Sequence, residues 1–158
     1  NEISSLPFDE QVIHLAKAKA KLISKKHPDN IIIGGDQMCV LGEKLLHKPG
    51  TKDKAIESLK LLSNQTHFQH SGVCIYKNND CIWEYSESVE LKMHDLSEPE
   101  IKNYVEMENP IHAAGSYKFE SLGCNLFSHV GGSSYTVRGM PLIPLLNALR
   151  ELGIIDLK

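Results

Sequence analysis

Apolar residues recur along this chain with two periods, and the alternation between them outlines the elements. From about Pro7 to Lys26, Val12, Leu15, Ala16, Leu22 and Ile23 fall on one stripe at a period of 3.6, which predicts an amphipathic helix. The segment "KKHPDN" ends it, because proline cannot sit inside a continuing helix and Asp29-Asn30 supplies turn chemistry. Residues 31–41 then read as a buried strand, apolar except at Gly34-Gly35-Asp36-Gln37. A short connection at Gly42-Glu43 leads to "KLLHKP", and Thr51 caps a helix with Ala55, Ile56, Leu59 and Leu62 on its apolar face.

The next two segments, "THFQHSGVCIYK" and "CIWEYSESVELKM", are rich in β-branched and aromatic residues and flank Asn78-Asn79, the pattern of an antiparallel hairpin. Ser97-Glu98-Pro99-Glu100 has the form of a capping box, so a helix is predicted to about Glu108. "NPIHAAGSYKFESLG" reads as an ordered loop, "CNLFSHV" as a strand and "GGSSYTVRGMP" as a second loop. "PLIPLLNALREL" predicts a closing helix, with Gly153 as its stop signal. No repeat, low-complexity tract or linker breaks this order. The hairpin excludes a purely parallel sheet, so the expectation is one α/β domain over residues 1–158 with a mixed β-sheet flanked by helices. An α/β domain commonly opens on a strand, whereas here the polar fragment Asn1 to Ser5 directly precedes a helix.

Composition narrows the classes. A chain of 158 residues that is 41% hydrophobic can close one good core. The formal net charge of -3 gives no basic excess, so neither a nucleic-acid nor a membrane surface is expected and any phosphate binding must be local. No apolar run reaches bilayer length, and "NEISSLPFDEQ" lacks the basic start and apolar core of a signal peptide, which makes a cytoplasmic protein the expectation. The four cysteines match no zinc spacing. A tight turn at "KNND" sets Cys81 opposite Tyr76 and Cys74 opposite Trp83, out of register for a disulfide, so free and mostly buried thiols are expected.

Three residues carry candidate chemistry. Lys19 lies within about 20° of Val12 on the helical wheel and so sits on the apolar stripe, where it either snorkels from the core edge or projects its ammonium toward an anion. Asp36 interrupts an apolar strand, although burying even a neutral polar group unpaired costs roughly 2 to 7 kcal/mol. It therefore caps a local turn or has a partner, a metal or a catalytic task, and both readings stay open. Lys48, beside Pro49, supplies a cation that would suit a metal-bound phosphate chain held by Asp36. His67 and His70 are offset by three within a strand and face opposite ways, so they cannot share an ion; His112 is either a pocket wall or a surface residue. No dinucleotide, P-loop, serine-hydrolase or zinc-protease motif is present.

Taken in order, "LAKAKA", "IIIGGDQMCV", "HKP", "AIESLKLLSNQTHFQHSGV", "LSEPEIKNYVEMENPIHAAGSYKFESLG" and "GGSSYTVRGMPLIPLL" resemble the Maf family over essentially the whole chain. These are septum-formation-inhibitor-like nucleoside triphosphate pyrophosphatases. The resemblance implies a Maf/inosine-triphosphatase-like α/β fold with two lobes around a cleft, often a homodimer. It also implies hydrolysis of a nucleoside triphosphate to the monophosphate and pyrophosphate with a divalent cation, Mg2+ or Mn2+. By the same resemblance Asp36 is the proton acceptor and a metal ligand, while Lys48 and Lys19 face phosphate. Glu2 stands where the family has an acidic pair and is implied as a further catalytic and metal-binding carboxylate.

Gln37 and Glu120 resemble the subgroup that acts on 7-methyl-GTP, whereas the subgroup preferring dTTP and UTP has threonine and glutamine at these places. A carboxylate suits an N7-methylated guanine, whose ring is positively charged and whose Watson-Crick edge offers donors. The family's opening strand and its phosphate-binding segment of the form "ASxSPxR" have no counterpart in this sequence. The expectation is therefore a 7-methyl-GTP pyrophosphatase. The alternatives are a dTTP/UTP-type or broad pyrophosphatase, and a catalytically weak nucleotide-binding regulator of cell division.

Overall fold

A computed structural model describes residues 2–157. Helix α1 (Phe8–Lys26) is followed by strands β1 (Ile32–Leu41) and β2 (Lys44–Leu46), helix α2 (Lys52–Leu62), strands β3 (Thr66–Lys77) and β4 (Asp80–Met93), and helix α3 (Glu98–Glu108). Strand β5 (Phe127–Gly131), the short helix α4 (Ser134–Val137) and helix α5 (Leu142–Glu151) complete the order. The strands form one sheet in the order β2-β1-β3-β4-β5.

The α/β class with helices flanking the sheet is as expected, and the sheet is antiparallel where a mixed one was anticipated. The reason lies in the connection. The β1–β2 hairpin reverses the chain, α2 reverses it again, and a third reversal into β3 brings that strand back beside β1 in the opposite sense. Strand β2 pairs only with Cys39, Val40 and Leu41, the last three residues of β1.

Local signals set most boundaries. Thr51 accepts from the Lys54 amide at the head of α2. Ser97 and Glu100 form the predicted capping box on α3, which ends at Asn109 in the left-handed conformation. Asn78 and Asn79 both take positive φ, 52° and 65°, the tight turn whose twist matches the β3–β4 hairpin. The first predicted loop holds a 3-10 turn at Ala114–Ser116, interrupted by positive φ at Gly115 and Ser116, and the second holds α4; the strand expected from Cys124 begins only at Phe127, because Leu122–Leu126 forms a 3-10 helix instead.

The chain divides into two units. The first comprises residues 1–37, 70–87 and 139–158, and the second residues 38–69 and 88–138. In the second, Leu59 and Leu62 of α2, Ile101 and Val105 of α3, and Val89, Leu91 and Met93 of β4 build one fully dry cluster around Tyr117 and Phe127. In the first, α5 packs Leu145, Ala148 and Leu149 on Val73 and Ile75, while α1 packs Ala16 and Ala20 on Cys74 and Tyr76.

Helix α1 corrects the predicted apolar stripe. Leu22 and Ile23 are 65% and 46% exposed, and the buried row is instead Val12, Ala16, Ala20 and Ser24. A Cβ on Gly34 would lie 2.5 Å from the Ala16 carbonyl oxygen, and one on Gly72 would lie 2.5 Å from the Val12 carbonyl carbon. The helix therefore rests backbone-to-backbone on two glycines, and only small side chains fit beneath it. All four cysteines are free, with Cys39 and Cys74 buried and Cys124 exposed.

Candidate active site

The centre of the candidate site lies in the first unit, on β1. Successive residues of a strand face opposite sides of the sheet. Gly34 faces α1, and so does Asp36, whose Oδ1 accepts from Lys19 Nζ at 2.5 Å. Lys19 also reaches the Gly35 carbonyl at 3.4 Å. Its side chain is 61% exposed and that of Asp36 only 17%, so the ammonium reaches in from solvent to a carboxylate held by the strand. Lys19 comes from the flank of the small-residue row rather than from the buried face itself. The neighbouring Lys17 points elsewhere, to Glu84 at 2.7 Å.

Gly35 and Gln37 face the other side of the strand. A Cβ on Gly35 would lie 3.1 Å from Met140 Cε, and one on Gly139 would lie 3.3 Å from Gln37 Oε1. Gly139 has φ of 112°, outside the range of ordinary side chains. The Gly139–Met140 turn is a site element that pattern reading passed over as loop.

The remaining predicted residues are placed separately. Lys48, in the second unit, is exposed and lines a groove of about 330 Å³ with His47, Lys54, Glu57, Ser58 and others from β2 and α2. Glu120 and His112 are also exposed there. The segment bearing Glu120 is pinned by the Lys118 amide, which donates to Tyr104 Oη at 2.8 Å. Glu2 is exposed in the first unit, and its backbone carbonyl accepts from Ser5 Oγ at 2.7 Å.

A polar cluster in the second unit had no obvious sequence signal. Tyr117 Oη accepts from Gln69 Nε2 at 2.6 Å and shares a 2.9 Å bond with His67 Nε2. All three residues are buried, and burial pushes the His67 imidazole down to about 4. His67 Nδ1, Gln69 Oε1 and Ser116 Oγ lack a protein partner. The hint in the sequence was a row of polar residues at even spacing, His67, Gln69 and Ser71, which the strand turns to its buried face.

The donor set bears on a metal. Among the described residues no three of His, Cys, Asp and Glu gather as a cage. Magnesium is commonly held by one or two carboxylates plus substrate phosphates, and Asp36 fits that lean arrangement.

The profile of the family described as Maf-like protein matches residues 2–152. This chain belongs to the Maf-like family. Among relatives of this Maf-like chain, "Nucleoside triphosphate pyrophosphatase" of Legionella pneumophila (strain Corby) is 40% identical over 92% of this chain and 72% of its own length. "7-methyl-GTP pyrophosphatase" of Rhizobium etli is 37% identical over 90% and 72%. The protein of the same name from Rhizobium meliloti (strain 1021) is 34% identical over 98% and 79%. No helix among the described residues of the Maf-like chain is long and apolar enough to cross a membrane.

Proposed function

We propose that this Maf-like hydrolase, a nucleoside triphosphate pyrophosphatase, takes 7-methyl-GTP and releases 7-methyl-GMP and pyrophosphate. The observation that carries the reading is the Lys19–Asp36 pair: an accessible ammonium on a half-buried strand carboxylate beside two glycines. The ammonium end of the pair is 61% exposed and screened by water, so a polyanion can compete for it. Phosphate oxygens then take the Lys19 ammonium and Asp36 Oδ1 becomes free to orient and deprotonate water. Water attacks the α-phosphorus, the bond from it to the bridging oxygen breaks, and pyrophosphate leaves. Lys19 neutralises the charge that grows on the phosphoryl oxygens. Asp36, with Glu2 as a second carboxylate, would hold a magnesium or manganese ion, which supplies further charge neutralisation when bound.

The base preference rests on the relatives named 7-methyl-GTP pyrophosphatase and on Gln37 and Glu120. Glu120 supplies a carboxylate to a cationic ring. The test is pyrophosphate release from 7-methyl-GTP, GTP, dTTP and UTP with Mg2+ or Mn2+. Fastest turnover of 7-methyl-GTP is expected. Preference for dTTP or UTP overturns the base assignment, and silence with every nucleotide overturns the reaction.

A further inference from the structure

Strand alternation separates two neighbours that one substrate reading treats together. Asp36 shares a face with Gly34 and meets α1 through Lys19, while Gln37 shares the opposite face with Gly35. On that second face the carboxamide of Gln37 lies against Gly139, at 3.3 Å from Oε1 and 3.7 Å from Cδ to the position a Cβ would occupy. Met140 closes the adjoining space over Gly35. With φ of 112°, Gly139 brings bare backbone up to the carboxamide where any side chain would push it away.

We infer that Gly139 is a positioning residue: by leaving room beside the Gln37 carboxamide it sets where that amide points, and so tunes base choice. The inference rests on the reading of Gln37 as a specificity residue. A side chain at 139 would crowd the amide and turn it, and an amide is selective only when its donor and acceptor ends are not free to exchange.

The experiment is a double-mutant cycle. Gly139→Ala, Gln37→Ala and the double variant are assayed for kcat and KM with 7-methyl-GTP and GTP, with thermal midpoints recorded alongside. Gly139→Ala is expected to lower the kcat/KM ratio between the two nucleotides by about fivefold, mostly through KM, as is Gln37→Ala. Because Gly139 acts through Gln37, the double variant is expected to fall no further than Gln37→Ala. Unchanged selectivity in Gly139→Ala beside a shift in Gln37→Ala overturns the positioning role, and so do effects that multiply. Unchanged selectivity in Gln37→Ala instead removes the specificity reading beneath it. Should Gly139→Ala not fold, Gln37→Asn, which keeps the amide but draws it back from Gly139 by one methylene, carries the same prediction. An unaltered ratio there overturns the inference equally.

Discussion

Asp36 in β1 and His67 in β3 each interrupt an apolar strand with an ionisable side chain, and the two regions handle the desolvation problem in opposite ways. Asp36 keeps 17% of its side chain open to solvent and pairs with a lysine that is 61% exposed. His67 is fully buried, kept neutral by its surroundings and tied to Tyr117. An exposed ion pair can exchange partners at little cost, which suits a reaction. A buried neutral network is costly to disturb, which suits a scaffold. What separates the proposed reactive group from the structural one is solvent access, a property that residue type alone does not carry.

Three changes test that contrast. Replacing Asp36→Asn keeps shape and removes the proposed base, so pyrophosphate release should fall about a thousandfold while the unfolding free energy measured in urea changes by less than about 1 kcal/mol. Equal turnover in both proteins would deny Asp36 its role.

Acid should act on the other region. The His67 pKa is about 4 in the folded protein against 6.5 when unfolded, so the unfolded chain binds the extra proton between those values. Stability is then complete above pH 6.5 and falls as pH drops toward 4, by about 3 kcal/mol in all. His70, also lowered by burial, adds to the same slope. Urea denaturation at pH 7 and 4.5 measures it, and His67→Gln should flatten the difference.

Smallest is Tyr117→Phe, which strips a partner from both His67 and Gln69. A cost of about 2 kcal/mol is expected, seen as a midpoint roughly 4 to 8 °C lower by calorimetry. An unchanged midpoint would mean the cluster is not structural.

The elements legible in the sequence were those with short-range causes. Thr51, Ser97 with Glu100, and Asn78-Asn79 each act within four residues, so their caps and turn could be read directly. The buried face of α1 could not. Leu22 and Ile23 outweigh Ala16 and Ala20 in any hydrophobic pattern, and the small row wins only because Gly34 and Gly72 let the helix approach. Lys19 and Asp36 stood out because a charge on an apolar stripe or strand breaks a local rule. Gly139 did not, since its partner Gln37 lies about a hundred positions earlier and only the folded chain joins them. The same holds for Tyr117, whose link to His67 spans fifty residues.

The close seat of α1 on Gly34 and Gly72 has a consequence in time. With carbonyl and Cα atoms in direct contact, the helix has no slack in which to slide along β1. The freedom left to Lys19 is rotation about its own side-chain bonds, which for an exposed residue takes picoseconds to nanoseconds. In the proposed reaction, exchange of Asp36 for a phosphate oxygen would then be a rotamer event rather than a helix movement, completed long before the chemical step.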